Sequence, residues 1–340
     1  MAAIYGARTK DASGVITLDT SVTPMRSIYT LQVTGNGAWD QYFSIPQIKA
    51  NSFVVVQSPA PNTAGGIEAW WSPGTLHLRR AYSGKWNVKI LSYGDVQDGD
   101  TKYGIRTKNG DNLVQVDNSN KVMRVADSGS FAIGRRGSGD YITSGGGTFK
   151  IPITTIEEPY VFLRSDTGMM VCNYRVRGSP GAWTGFTVDG WFGGAFNTLY
   201  YTVKWMVGTT AATNTALGDY GVEINNELSE ATFNSNDNII LLSGASPSSD
   251  RFKVAGSDVV TGSTLWSSFQ MPWTGDFNDY FLASSLLPQF YDGYTYYENP
   301  AGFHVGNRSV LQAYSGANTG TNASGVNGRT VFAGRPMRAL

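Results

Sequence analysis

The residue types that most often carry covalent or metal chemistry are scarce: two histidines, His77 and His304, and one cysteine, Cys172, in 340 residues. Neither histidine has a second His or a Cys at metal-ligand spacing. Each follows a hairpin glycine, in what read as corresponding strands, and each is expected as a half-exposed strand histidine. Cys172 lies in an apolar strand, where a thiol is inert packing, and alone it cannot close a disulfide within the chain. There is no Gly-x-Ser-x-Gly elbow and no Gly-Lys-Ser/Thr phosphate loop. Asp95, Asp98 and Asp100 lack the spacing and the closing Glu of an EF-hand and read as a solvated linker. Gly134-Arg135-Arg136-Gly137-Ser138-Gly139 could nest an anion, but its composition favours a hairpin tip. Glu157-Glu158 belong to a turn or point to opposite strand faces, whereas a glycosidase pair needs two carboxyls roughly 5–10 Å apart across a cleft. The expectation is a protein that is not an enzyme and holds no cofactor or metal.

The remaining chemistry is non-covalent and aromatic. Trp266 to Tyr297 reads as an enlarged loop region carrying Trp266, Trp273, Tyr291, Tyr294 and Tyr296. Gly178 to Gly194 reads as a second enlarged loop, with Trp183, Phe186, Trp191 and Phe192. Loops enlarged on a repeated scaffold are where function usually sits. The plainer reading, that these rings fill a core, is favoured, because buried Trp and Tyr dominate cores and interfaces alike.

The elements that must position these residues are set by a repeat. Ile4-Tyr5-Gly6-Ala7-Arg8-Thr9-Lys10-Asp11 turns through Ala12-Ser13-Gly14 and returns as Val15-Ile16-Thr17-Leu18-Asp19. The same text recurs from Tyr103 to Asp117, in register through Met123 and Arg124, which match Met25 and Arg26. A worn third copy runs from Tyr220 to Asn226 and returns through Ala231-Thr232-Phe233-Asn234. Apolar residues alternate on both arms, and turn residues lie between them, which predicts a β-hairpin each time. Three further hairpins are expected, at Ile67–Arg79, Tyr160–Tyr174 and Tyr294–Val305. A late strand should follow each, at Lys85–Leu91, Tyr201–Val207 and Arg329–Phe332. One short helix is expected over Asp279–Leu287, with Asn278 as cap and Pro288 as stop.

The copies start 98 and then 117 residues apart, close to the roughly 100 residues of one β-sandwich. The fold expected is therefore all-β, three tandem β-sandwich modules over residues 1–94, 95–208 and 209–340. Composition agrees, with 41 glycines and only 15% charged residues, against roughly 25% charged in an average domain. Net charge is zero and no basic block stands out, so a nucleic-acid footprint is not indicated. No apolar run is long enough to span a membrane. Residues Met1–Tyr5 enter a strand with no charged and then apolar leader, so synthesis in a cytoplasm without export is expected.

A cysteine-poor, Gly- and aromatic-rich β-chain that opens Ile-Tyr-Gly-Ala-Arg-Thr-Lys-Asp-Ala-Ser-Gly resembles the minor tail and tail-tip structural proteins of long-tailed bacteriophages (siphophages). The likeness rests on the Tyr-Gly-x-x-x-x-(Asp/Asn)-x-x-Gly hairpin at 5–19 and 103–117, and it carries over no functional residue. It implies a virion protein of the distal tail, baseplate or fibre, made in the host cytoplasm, with other tail or baseplate subunits as partners and self-association about the tail axis. Host attachment through a cell-surface glycan would use Trp266, Trp273, Tyr291, Tyr294 or Tyr296, since aromatic faces with polar rims suit sugars. A carbohydrate-binding or polysaccharide-degrading β-sandwich protein and a capsid decoration protein are the alternatives.

Overall fold

The computed structural model describes residues 8–10, 16–19, 24–50, 52–57, 68–79, 81, 83–92, 104–109, 112–117, 120–134, 144–190, 200–211, 221–245, 253–260, 264–272, 278–286, 290–291, 296–297, 301–304, 309–316 and 332–340. The repeated text forms a hairpin each time. Strand β1 (Arg8–Lys10) pairs antiparallel with β2 (Ile16–Asp19). Between them and the second copy come β3 (Arg26–Thr34), β4 (Asp40–Ser44), β5 (Ser52–Gln57), β6 (Glu68–Ser72), β7 (Thr75–Arg79) and β8 (Lys85–Ser92). The second hairpin is β9 (Gly104–Asn109) with β10 (Asn112–Asp117). It is followed by β11 (Lys121–Val122), β12 (Arg124–Gly134), β13 (Ser144–Ile153), β14 (Tyr160–Arg164), β15 (Met169–Ser179), β16 (Ala182–Gly190) and β17 (Tyr200–Thr209). The third is β18 (Glu223–Asn225) with β19 (Ala231–Asn234). After it come β20 (Ile240–Ala245), β21 (Lys253–Val260), β22 (Thr264–Pro272), β23 (Tyr280–Leu282) and α1 (Ala283–Leu286). The chain ends through β24 (Phe290–Tyr291), β25 (Tyr296–Tyr297), β26 (Ala301–His304), β27 (Ser309–Gly316) and β28 (Phe332–Pro336).

The strand order returns after each hairpin. The first run forms a sheet containing β3-β8-β5, with β11 on its edge, and a second sheet β4-β7-β6. The second run gives β12-β17-β14 and β13-β16-β15, which is the same order. In the third run β20-β28-β23 and β22-β27-β26 repeat it again, with β21 added outside β22. The second and third runs share their sheets. Pairing of β14 with β23 makes one six-stranded sheet, and pairing of β15 with β26 makes one seven-stranded sheet. Gly208, the last residue of the expected second module, lies inside β17, opposite Val125 and Tyr160.

Period-two alternation sends neighbouring residues of one strand into different cores. On β8, Trp86, Val88 and Ile90 pack between the two sheets of the first run, while Leu91 joins a second cluster. On β14, Val161 and Leu163 face the sandwich of the second run, and Tyr160 and Phe162 face that same second cluster. The second cluster is common to the three runs: Phe53 and Val55 from β5, Tyr160 and Phe162 from β14, Tyr280 and Leu282 from β23.

At its centre is a closed ring of backbone hydrogen bonds. Met25 N–H donates to Ile240 C=O at 2.8 Å, Ile240 N–H to Met123 C=O at 2.9 Å, and Met123 N–H to Met25 C=O at 2.8 Å. The flanking residues bridge in the same cyclic sense, Pro24 with Leu241, Val122 with Arg26 and Ile239 with Arg124. Met123 stands 98 residues after Met25, and Ile240 stands 117 after Met123, which is the spacing of the hairpins themselves. Their side chains are fully buried.

Several expectations are corrected. Residues 160–174 do not form a hairpin, because β14 and β15 lie in different sheets and Ser165–Gly168 crosses the core between them. Both edges of β14 are taken, by β17 and β23, as suits a strand buried on both faces. The positional match of the β6–β7 hairpin is instead β15–β16. Each turns at Ser-Pro-Gly, with Gly74 at φ 79° and Gly181 at φ 85°. Much of the expected loop Gly178–Gly194 is thus strand β16, and its Trp183 and Phe186 are core. The expected third hairpin is also absent as drawn, since β25 pairs with β24, and β26 pairs with β15 and β27. The expected helix is present but shorter: Tyr280–Leu282 is strand, with Tyr280 and Leu282 in one core and Phe281 in another, so the helix covers Ala283–Leu286 and Asn278 precedes β23 instead of standing at the helix N-cap.

Two substitutions separate the ring from the turns. Met123→Ala should cost about 3 kcal/mol, the range for a buried long apolar side chain. Gly181→Ala meets nothing within 4 Å, so only its left-handed backbone objects, at about 1 kcal/mol. Urea unfolding midpoints at unchanged slope read both values.

Candidate functional site

The outward face of the sheet β4-β7-β6 concentrates polar and aromatic chemistry. Register places Tyr42 and Trp70 opposite His77 on its two sides, and Asp40 opposite Arg79. This follows from alternation: Leu76 and Leu78 of β7 point into the first sandwich, which leaves His77 and Arg79 on the outer side. The Tyr42 ring stacks on His77 with centroids 4.2 Å apart, and Trp70 meets it edge-on at 3.6 Å. Tyr42 is 70% exposed while His77 retains only 6%. The histidine is therefore covered by its neighbours' rings, not half-exposed as a lone strand histidine would be.

Electrostatics tie the row together. Arg79 Nε donates to Asp40 Oδ1 at 2.8 Å, and His77 Nε2 lies 2.9 Å from the same oxygen. The Arg79 guanidinium lies 5.1 Å from the Trp70 ring centroid. The Arg79 hydrogen bond, aided by His77 and opposed by partial burial, holds the Asp40 carboxyl below the usual carboxylate range. Burial pushes the His77 imidazole down, against the pull of Asp40. An ionised carboxylate only accepts, so Nε2 carries the proton of the neutral imidazole and Nδ1 holds the lone pair. The face can stack a flat or CH-rich ligand surface and exchange hydrogen bonds at its edge.

The residues expected as glycan contacts are only partly brought together. Tyr291 and Tyr296 stand directly opposite each other in the β24–β25 ladder, which places them on one side of that hairpin. Trp266 lies on β22, between Asp258 and Ser315. Trp273 and Tyr294 fall outside the described residues, as do Asp95, Asp98, Asp100 and most of the Gly134–Gly139 stretch. His304 sits on β26, opposite Ser309. That is the position of β6 in the strand order, so the two histidines are not in corresponding strands. Cys172 lies on β15, opposite Asp189.

Glu157 and Glu158 have a different task from acid–base chemistry. They lie in a bend, where the Thr155 hydroxyl donates to the Glu157 carbonyl. The Glu157 carboxylate accepts from Thr30 of β3 and from Thr210 just beyond β17, each at 2.7 Å. The Glu158 carbonyl accepts from Lys89 Nζ at 2.9 Å. Lys89 is buried on β8, 4.5 Å above the Tyr160 ring. Burial drives its pKa down, opposed by the charges of Glu158 and Glu157. Burial also drives the Tyr160 phenol up. The segment is a polar clamp between the first and second runs.

Sequence reasoning missed the Tyr42–His77–Trp70 row. The alternation Asp40-x-Tyr42 and His77-x-Arg79 was readable, but the register joining three strands was not. Among the described residues, no group of three or more His, Cys, Asp or Glu is placed to hold a metal ion, and no helix is long and apolar enough to cross a membrane. Comparison with protein-family models, with curated proteins and with solved structures finds no match.

With only two histidines in the chain, NMR titration can follow His77 directly. Asp40→Asn should move its pKa further down, and Tyr42→Ala, by letting water in, should move it up. The folded pKa lies below the unfolded value near 6.5. This group's contribution to stability is therefore complete above pH 6.5 and is lost as pH falls from there toward the folded pKa.

Proposed function

We propose that the chain is a structural protein of a bacteriophage tail, built as three tandem β-sandwich modules, residues 1–94, 95–208 and 209–340, related by internal repeat. The observation that carries the reading is the ring of Met25, Met123 and Ile240, whose members keep the spacing of the three hairpins. The thrice-repeated strand order supports it as well. The tail assignment draws its support from the resemblance of the opening hairpin to siphophage minor tail and tail-tip proteins. Tail parts are organised about closed cyclic axes, and a chain with a cyclic backbone ring suits such a frame. On this reading it is made in the host cytoplasm, joins other tail or baseplate subunits in the virion, and serves assembly and host attachment.

The test is location. Particles released by the encoding phage should contain the chain by quantitative mass spectrometry, and gold label on an appended tag should mark the distal tail. Label on the head would support capsid decoration instead. Chain confined to the unassembled fraction of the lysate would sink the virion reading.

One observation favours a second reading, a carbohydrate-binding sandwich protein: the outward-facing row Tyr42–His77–Trp70, with Tyr42 exposed and Trp70 partly so, beside the Asp40–Arg79 pair. If that row binds sugar, Trp70→Ala should lose signal on a glycan array by about fivefold, the order expected for one stacking contact worth roughly 1 kcal/mol. Tyr291→Ala and Tyr296→Ala test the β24–β25 pair in the same way. Equal signal from all variants removes both surfaces as sugar sites.

A further inference from the structure

We infer that the outer face of β4 binds one electrically neutral pyranose, stacked on the Tyr42 ring with a hydroxyl donating to Oδ2 of Asp40. The inference rests on the carbohydrate-binding reading of this face and adds to it the class of sugar, the platform and the polar contact.

The platform is Tyr42. One face of its ring lies on His77. A ring covered on one face and still 70% exposed presents the other face to solvent. Trp70, by contrast, is partly buried, meets His77 edge-on and carries the Arg79 guanidinium over its own ring. It braces the row from the far side. Asp40 stands two residues before Tyr42 on β4, hence on the same side of the sheet and about 7 Å away along the strand. A pyranose lying on Tyr42 covers that distance with a hydroxyl at its rim. Trp39, half-exposed, adjoins Asp40 at the entry to the strand.

The carboxylate of Asp40 keeps an acceptor in hand. Arg79 Nε and His77 Nε2 both lie on Oδ1, at 2.8 and 2.9 Å. Among the described residues nothing donates to Oδ2, in a side chain that is 39% exposed. The Arg79 hydrogen bond holds the carboxyl in its ionised form, and an ionised oxygen is a strong acceptor for a hydroxyl.

Charge on this face disfavours ionic ligands. The Asp40 carboxylate is matched by the Arg79 guanidinium, and the guanidinium by the carboxylate. A sialic acid, a uronic acid or a sulfated sugar therefore meets no unmatched cation, and an amino sugar meets a carboxylate that already has its counter-ion. A neutral ring suits both parts, with C–H groups against the negative face of the tyrosine and an O–H at Oδ2.

The support is fixed before any ligand arrives. Gln41, between Asp40 and Tyr42, faces inward and is buried. Its Oε1 accepts from Asn36 N–H and its Nε2 donates to Ala38 C=O, each at 2.8 Å. Ala38 N–H in turn donates to Asn36 Oδ1 at 3.0 Å. The turn that delivers Trp39 and Asp40 is thus pinned from inside, which leaves little ordering to be done on binding.

The full chain on a glycan array is the test. The array carries neutral ends (galactose, glucose, N-acetylglucosamine), acidic ends (sialic acid, glucuronic acid, sulfated galactose) and a basic one (glucosamine). Binding to a neutral end is expected, lowered about tenfold in Tyr42→Ala and in Asp40→Asn, with native circular dichroism in both. Binding confined to acidic or basic ends, and lost in Tyr42→Ala, overturns the inference and leaves the sugar reading of the face standing. No binding by the native chain, or binding unchanged in both Tyr42→Ala and Trp70→Ala, overturns the two together. Methyl glycosides of the bound sugar, each lacking one hydroxyl, then test the contact to Asp40. One deletion should weaken the native chain about tenfold and the Asp40→Asn chain less than about twofold, the non-additivity expected of groups in contact. Equal losses in the two chains remove Asp40 as the partner and overturn the inference.

Discussion

Three amide–carbonyl bonds, each from a strand opening to the next, hold the molecule together as one object. A buried backbone group must be paired, and at Met25, Met123 and Ile240 each can find its partner only if the other two are present. That mutual requirement joins residues otherwise far apart in the chain. The surrounding apolar cluster, drawn from β5, β14 and β23, packs buried around them.

Alternation along the strands is what lets a single sheet serve two cores. On β8, Trp86, Val88 and Ile90 stabilise the first sandwich, while Lys89 and Leu91 between them reach the neighbouring run. A buried lysine is costly unless paired. Lys89 meets that condition with a carbonyl, an aromatic face and two nearby carboxylates. The boundary between the first and second runs is therefore polar where the cluster shared by the three runs is apolar. Direction and register come from the polar clamp of Glu157, Thr30 and Thr210.

Much of this was legible in the residues. The hairpins at 8–19, 104–117 and 223–234 followed from alternation and turn composition, and strands β8 and β17 fell close to where they were expected. Pairing partners were not legible. Tyr160–Arg164 looked like half a hairpin because a tight turn follows it, but apolar residues on both faces meant a central strand. The Ser-Pro-Gly turns at 72–74 and 179–181 were the signal that would have matched β6–β7 with β15–β16, and they were passed over in favour of the nearer glycine at 168. Residues 182–190 read as a loop because glycines interrupt them, although Phe186 and Val188 alternate inward as a strand should. The His77 environment was out of reach for a simpler reason: Asp40, Trp70 and Arg79 come from three strands, and only register brings them within hydrogen-bonding and stacking distance.

A ring whose last member is residue 240 cannot close until most of the polypeptide has left the ribosome. At roughly 5–20 residues per second, the stretch between Met123 and Ile240 takes on the order of ten seconds to synthesise. Throughout that interval Phe53 and Val55, and Tyr160 and Phe162 once they are made, lack the β23 residues that complete their cluster. The nascent chain thus passes through a stage with a sticky, unfinished seam, when holdase chaperones have most to do and a neighbouring chain could lend its own C-terminal third in exchange.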